Sequence, residues 1–271
     1  MNGSSIVGLV LAIVVFLIVA LTSVKDPIVF LDWHAAVIVL GGTLAATLLS
    51  FSFKNIINLS KIFLYKILQG TQQQYAELIR EIVDLSKGYR ESEGYLGQKK
   101  DEIKNHFLRE AVELIIEGGL SSHEIDTILA KRAKTHHKRY EEDAHMFTTL
   151  AKFPPAFGLL GAVVGMVSLM QNLGGADAIK GVGPAMAVAL VATLYGIAIA
   201  NFIFIPLGEN LSKFNRQDKT MRTMVIDGIK MIRAKKHPLL VEENIKSYLL
   251  PSERLAMGSP SDDAPAESEA A

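Results

Sequence analysis

The chain has 271 residues, no cysteine, and equal numbers of basic and acidic residues, so that its formal net charge is zero. Hydrophobic residues make up 49 % of it and the mean hydropathy is +0.27, and these residues gather into long runs typical of a membrane protein. A balanced charge also argues against nucleic-acid binding, which needs basic patches of one sign.

Four stretches, 4–24, 35–53, 153–173 and 182–207, contain no charged residue or histidine. Each is long enough to cross a hydrocarbon core of about 30 Å as a helix. We therefore predict an all-α integral membrane protein with a helical cytoplasmic domain. The four transmembrane helices are expected at 4–24, 33–53, 153–173 and 182–207. The first stretch lacks the basic start and the cleavage site of a signal peptide, so we expect it to be retained.

The basic residues predict the orientation of the helices. The connections 25–32 and 174–181 hold one lysine each, and the other 26 of the 28 lysines and arginines lie in 54–152 or after residue 207. Lys and Arg beside membrane helices stay on the cytoplasmic side. Both termini are therefore expected in the cytoplasm, and 25–32 and 174–181 are expected to be periplasmic loops.

Two cytoplasmic segments are predicted to be helical. The insertion 54–152 shows apolar residues at helical spacing, with breaks near Gly94 and at Gly118. Residues 208–250 continue the pattern after the fourth membrane helix, with a break near Pro238. The Ser-, Pro- and acid-rich end, 251–271, is expected to be disordered.

The surface of the insertion 54–152 is densely charged but nearly neutral, with 16 basic and 15 acidic residues. Such a surface suits reversible polar contact with another protein. Composition alone favours the simpler interpretation, an ordinary solvated helical face.

Small residues recur at a spacing of four in the membrane helices, where close packing replaces the hydrophobic drive for association. They are Gly41 and Ala45, Gly158 and Ala162, Gly161 and Gly165, Ala185 and Ala189, and Gly196 and Ala200. They suit either packing within the chain or contacts with neighbouring subunits. Because the membrane stretches hold no ionisable residue, an ion that crosses here would need a carboxylate from another polypeptide.

Several of these residues form a longer pattern. The fourth stretch reads GPAMAVAL at 183–190 and TLYG at 193–196, the third PAFG at 155–158, and the second GGT at 41–43. Together with the helix order and the long insertion, they resemble the flagellar motor stator family of MotA and PomA, which is distantly related to ExbB and TolQ. The resemblance runs along nearly the whole chain except the final tail.

The resemblance implies a stator subunit in the bacterial cytoplasmic (inner) membrane that turns ion flow into torque. It implies a ring of five such chains around two copies of a MotB-like, peptidoglycan-binding partner, whose aspartate would supply the missing carboxylate. The cytoplasmic insertion is then expected to act on the rotor protein FliG through charged contacts.

The resemblance also carries over individual residues. Pro155 and Pro206 match the two prolines that couple ion flow to movement, and Thr193 matches the threonine beside the partner's carboxylate. Without the resemblance, a proline at a helix end is most often only structural, and a threonine in a helix can serve packing alone. Because sodium needs oxygen ligands, the methyl groups of Ala162 and Ala192, where sodium-type relatives have polar residues, favour protons.

The rotor-facing charges fit the family less closely. Arg90 aligns with a basic residue of the family, but an extra residue follows it. The family's downstream glutamate then falls near Lys99, which leaves Glu93 and Glu102 as possible acidic partners of the rotor.

Other functions find less support in the sequence. An energising subunit of the ExbB or TolQ kind usually has three membrane helices. A self-contained transporter would need charged membrane residues or repeated halves, and a membrane scaffold would show no ion dependence. No enzymatic motif or metal-ligand spacing occurs, so we predict no enzyme, no cofactor and no metal.

Overall fold

The computed structural model describes residues 3–23, 26–53, 56–57, 73–172 and 178–256, and every regular element in these ranges is helical. The all-α prediction is therefore confirmed. The chain divides into two compact units. We call them the membrane unit (Met1–Gly70 and Arg139–Phe214) and the extramembrane unit (Thr71–Lys138 and Asn215–Ala271).

Apolar helices make up the membrane unit. They are α1 (Gly3–Ser23), α2 (Trp33–Ala36), a π-helical turn (Val37–Gly41), α3 (Gly42–Ser50), α8 (Phe153–Asn172), α9 (Ala178–Ile199) and a second π-helical turn (Ala200–Phe204). A short 3-10 turn, Pro27–Phe30, precedes α2. Among the described residues, four further α-helices lie between α3 and α8 along the chain and are described below.

Within the described residues, three helical stretches are long and apolar enough to cross a membrane: Pro27–Ser50, part of Ser122–Gln171, and part of Gly181–Arg233. By the same measure α1 contains a shorter apolar segment, Val10–Val19. As α1 is 21 residues long, four membrane helices remain compatible with the structure. Residues 178–181, predicted as the end of the loop 174–181, already belong to α9, which begins at Ala178.

The second π-helical turn lies directly before Pro206. A proline has no amide hydrogen and its ring collides with the carbonyl four residues earlier. Here the amide of Ile205 bonds to the carbonyl of Ala200, five residues back, which widens the helix just before the proline. The helix therefore continues past Pro206 in α10 (Ile205–Arg233), in agreement with the helical pattern after residue 207.

The extramembrane unit forms its own hydrophobic core. It contains α4 (Gln73–Glu91), α5 (Tyr95–Lys99), α6 (His106–Ile116), α11 (Pro238–Lys246) and the corresponding parts of α7 (Ser122–Leu150) and α10. Each of these six helices contributes at least one large, fully buried side chain to the core: Leu78, Ile82, Leu96, Leu108, Leu129, Met224, Ile229 and Ile245. The predicted amphipathic helices of this region are thus present.

Local sequence signals explain where these helices begin and end. Ser121 and Glu124 form reciprocal backbone bonds of 3.3 and 2.7 Å at the start of α7, as a capping box does. Gly118 and Gly119 have φ of +68° and +77°, which only glycine adopts freely. The break near Pro238 is also present, since Pro238 is the first residue of α11.

The start of the C-terminal tail differs from the prediction of disorder. Residues Pro251–Ala256 form a short helix, α12. Pro251 has the backbone angle that a first helical turn requires, and the carboxylate of Glu253 accepts a bond of 2.9 Å from the amide of Leu250. Residues 257–271 lie outside the described part of the chain.

Tyr248 gives a pH-dependent contribution to the stability of the extramembrane unit. Its hydroxyl donates to the Asp227 carboxylate, and this bond, followed by burial, raises the pKa of Tyr248 to about 12. Because the folded pKa exceeds the unfolded value of about 10, the contribution is complete below pH 10 and disappears as the pH rises through 12.

Replacing Tyr248 with phenylalanine is therefore expected to lower the free energy of unfolding by about 0.5–1 kcal/mol at pH 7, as for one partly exposed hydrogen bond. Thermal unfolding of the purified protein at pH 7 and above pH 12 would check this. Equal unfolding temperatures at pH 7 would contradict it, and the two proteins should converge at the higher pH.

A candidate ion-conducting helix pair

Helices α8 and α9 approach each other until their backbones touch. A methyl group added at Gly158 would lie 2.9 Å from the carbonyl oxygen of Ala192, and one added at Gly165 would lie 2.8 Å from that of Ala185. One added at Gly196 would overlap the carbonyl oxygen of Pro154. Only glycine permits such contact, as expected where membrane helices associate through small residues.

The hydroxyl of Thr193 lies in this contact. Its Oγ1 is 3.1 Å from the carbonyl oxygen of Ala189 on its own helix and 3.4 Å from that of Gly158 on α8. The side chain is half-buried. The structure therefore places Thr193 where two carbonyl groups converge, and the absence of a side chain at Gly158 leaves room for it.

The two alanines that bear on the choice of ion lie on the two helices of this pair, Ala192 on α9 and Ala162 on α8. Ala192 is fully buried, and its methyl group lies 2.5 Å from where a side chain at Gly161 would begin. Ala162 is half-buried and follows Gly158 by one helical turn, so the two share a face of α8. The side chain at both positions is a methyl group, which offers no oxygen ligand to an ion.

The two prolines have unlike surroundings. Pro155 is half-buried at the third position of α8, where a missing amide hydrogen costs nothing, and its Cα would lie 3.1 Å from a methyl group at Gly196. Pro155 thus belongs to the α8–α9 contact, whereas Pro206 follows the π-helical turn at Ala200–Phe204 and is exposed.

Two threonine hydroxyls of α3 are buried. Thr43 and Thr47 are each only 8 % exposed, and Thr47 donates to the carbonyl of Thr43 at 2.6 Å. The Thr43 hydroxyl has no partner among the described residues. Threonines at these positions in a membrane helix can line a polar path or bond back to their own helix, and the sequence alone does not show which of their side chains are buried.

The candidate rotor contacts lie in the extramembrane unit and are not gathered into one cluster. Arg90 is exposed in the last turn of α4, where a cation is favoured by the helix dipole. Glu93 pairs with Lys235 at 2.7 Å, and Lys99 pairs with Glu102 at 2.7 Å. Arg90 has no ion pair in the part of the chain that the structure describes.

The two ion pairs, Glu93–Lys235 and Lys99–Glu102, shift the pKa values of Glu93 and Lys99. The hydrogen bond from Lys235 lowers the pKa of Glu93, and the bond to Glu102 raises the pKa of Lys99. Both acids named from the sequence therefore already have partners within the chain. Glu91 and Asp101 are exposed and have no ion pair among the described residues, which sequence spacing alone could not reveal.

Known proteins resemble the chain over most of its length. A model of the MotA/TolQ/ExbB proton channel family matches residues 99–224. The chain is 30 % identical over 227 residues to the chemotaxis protein PomA of Vibrio alginolyticus, covering 81 % of this chain and 85 % of PomA. It is 30 % identical over 235 residues to motility protein A of Borreliella burgdorferi, covering 85 % and 87 % of the two chains.

Two solved structures share the fold. The flagellar MotAB stator complex from Bacillus subtilis gives a TM-score of 0.83 at 24 % identity, over 94 % of this chain and 100 % of that one. The structure of C. jejuni MotAB gives a TM-score of 0.79 at 22 % identity, over 93 % and 97 %. With the fold from these structures and the sequence identity from PomA and motility protein A, the chain belongs to the MotA/TolQ/ExbB proton channel family, within its MotA/PomA motility branch.

Proposed function

We propose that this chain, a stator subunit of the bacterial flagellar motor, forms an ion channel with a MotB-like partner and converts ion flow into torque on the rotor. The observation that carries the proposal is the α8–α9 pair, which is closely packed and offers the Thr193 hydroxyl but no carboxylate, basic side chain or histidine in 153–172 or 182–207. A carboxylate from a second polypeptide completes such a path.

The surfaces left open in the single chain support a larger assembly. α8 exposes a row of large apolar residues: Leu159, Leu160, Val163, Val164, Met166 and Val167. Lipid or neighbouring subunits can cover this row. We propose a ring of five chains around two partner copies in the inner membrane, with both termini in the cytoplasm, as the distribution of basic residues favours.

The conducted ion is proposed to be the proton. Ala162, one helical turn after Gly158, and Ala192, next to Thr193 in the chain, carry methyl groups and no side-chain oxygen. Replacing the water shell of sodium needs several oxygen ligands. A proton needs only a chain of hydroxyls or water and a titrating carboxylate.

Deleting the gene and scoring flagellation and swimming together tests the function. We expect flagellated but paralysed cells, and restored swimming when the gene is returned. Swimming of the restored cells should stop under a protonophore and persist without external sodium. Undiminished swimming of the deletion strain, when no second stator set is present, would favour an energising subunit of the ExbB or TolQ kind instead.

Arg90 tests the contact with FliG. We propose that its exposed guanidinium meets an acidic group of the rotor, so Arg90→Glu should lower the stall torque severalfold, because opposite charges then become like charges. Tethered-cell rotation measures the torque. Arg80, exposed earlier on the same helix, gives the matched control Arg80→Glu, and equal torque in both variants would remove Arg90 from the rotor surface.

A further inference from the structure

The turn between α10 and α11 contains a lysine in an unusual backbone conformation. Lys235 has a φ of +49° and is the one residue other than glycine with a positive φ in the described part of the chain. The amide of Lys236 bonds to the carbonyl of Met231 at 3.1 Å, and that of Lys235 bonds to Ile232 at 2.9 Å. These two bonds define a Schellman motif with Lys235 at the position that usually holds glycine.

A lysine at this position carries a conformational cost that glycine would not. Such outliers suggest that the side chain has a purpose. The Nζ of Lys235 lies 2.7 Å from the Oε1 of Glu93 and 5.7 Å from the centroid of the Tyr89 ring. The side chain therefore joins the α10–α11 turn to the end of α4 and to the loop that follows it.

That loop, residues 92–94, lies between Arg90 and α5. Its backbone is held by local bonds, from Ser92 to Gly88 at 2.9 Å and from Tyr95 to Ser92 at 3.1 Å. The Lys235–Glu93 pair adds a contact across 142 positions of sequence. The two side chains are 50 % and 70 % exposed, so the pair contributes little to overall stability and acts mainly on the position of the loop.

We propose that Lys235 is a positioning residue of the rotor-facing surface. Its ammonium group binds the Glu93 carboxylate and so holds the 92–94 loop in place. Without Lys235, the Glu93 carboxylate would be free to bind Arg90 in place of the rotor. The ion pair therefore keeps the Arg90 guanidinium available to the rotor. This inference rests on the proposed function, because it takes the end of α4 to be the part that meets the rotor.

Charge exchange between the two partners tests the proposal. Lys235→Glu and Glu93→Lys each place like charges together, and the double variant restores an opposite pair with reversed sense. We expect stall torque to fall at least twofold in each single variant and to recover in the double variant. Lys236→Glu is the matched control, since Lys236 is exposed and has no ion pair among the described residues.

A second measurement examines the contact without the motor. Hydrogen exchange of the amides of residues 92–96 in the purified full-length protein should be roughly two- to fivefold faster in Lys235→Glu than in the unmodified protein, as for loss of an exposed ion pair. Lys235→Gly should show the same faster exchange without a lower unfolding temperature, because glycine is favoured at this position.

The outcomes separate this inference from the proposed function. If the unmodified gene fails to restore swimming to the deletion strain, the stator function fails, and the exchange rates alone then decide whether Lys235 holds the loop. Unchanged exchange in Lys235→Glu overturns the contact. Equal torque loss in Lys236→Glu, or a double variant as weak as the single ones, overturns the positioning role, since only net charge would then matter.

Discussion

Gly196→Ala is expected to abolish swimming, because the added methyl group meets backbone atoms that cannot rotate away. It would overlap the carbonyl oxygen of Pro154 and lie 3.1 Å from the Cα of Pro155. Overpacking of this kind costs about 1–3 kcal/mol, and here it also pushes α8 away from α9 at Pro155. Swimming in soft agar and the unfolding temperature of the purified protein measure the two effects.

The control lies on the same helix. A methyl group at Gly183 meets nothing within 4 Å, and alanine is a better helix former than glycine, so Gly183→Ala should leave the unfolding temperature equal or higher. The amounts of both variants in the membrane, measured by immunoblot, show whether the loss at Gly196 comes from assembly or from motion. Normal swimming of Gly196→Ala would mean that α8 and α9 pack less closely than described.

The extent of the membrane helices could be predicted from sequence because hydropathy acts over whole helices. The uncharged runs around Val39, Gly161 and Ala192 are helical in the structure, and each lies in a helical stretch long and apolar enough to span a membrane. Glycine and alanine at a spacing of four also indicated close packing. Which helices they join could not be predicted, since Gly158 suits many partners equally and only the fold brings it to Ala192.

Features that depend on distant residues or on local helix geometry were not predictable. The sequence pattern predicts that helical structure continues after the fourth membrane helix, but it does not predict the π-helical turn that precedes Pro206. Glu93 was one of two acids open to the rotor, but Lys235, 142 residues away, already binds it. Neither the shifted hydrogen bonds nor the ion pair leaves a periodic signal in the sequence.

Thr193→Val is expected to lower motor torque about tenfold while leaving the fold intact. Valine keeps the branched shape of threonine, so the packing against Gly158 is preserved, but it removes the hydroxyl that lies between the carbonyl oxygens of Ala189 and Gly158. Loss of one hydrogen bond in an ion path costs about 1.4 kcal/mol at the upper end of the usual range, which is a factor of ten in rate. Tethered-cell rotation at high load measures it.

Serine at the same position separates ion passage from packing. Thr193→Ser keeps the hydroxyl and loses the methyl group, so we expect near-normal torque if the hydroxyl serves the ion, and reduced torque if the methyl group serves packing. Thr22→Val in α1 is the matched control, because Thr22 makes the same kind of bond to its own helix, 2.7 Å to the carbonyl of Ile18. Thr193→Val with normal torque, or a loss shared equally by Thr22→Val, would exclude the Thr193 hydroxyl from the ion path, because a bond back to its own helix would then be its whole role.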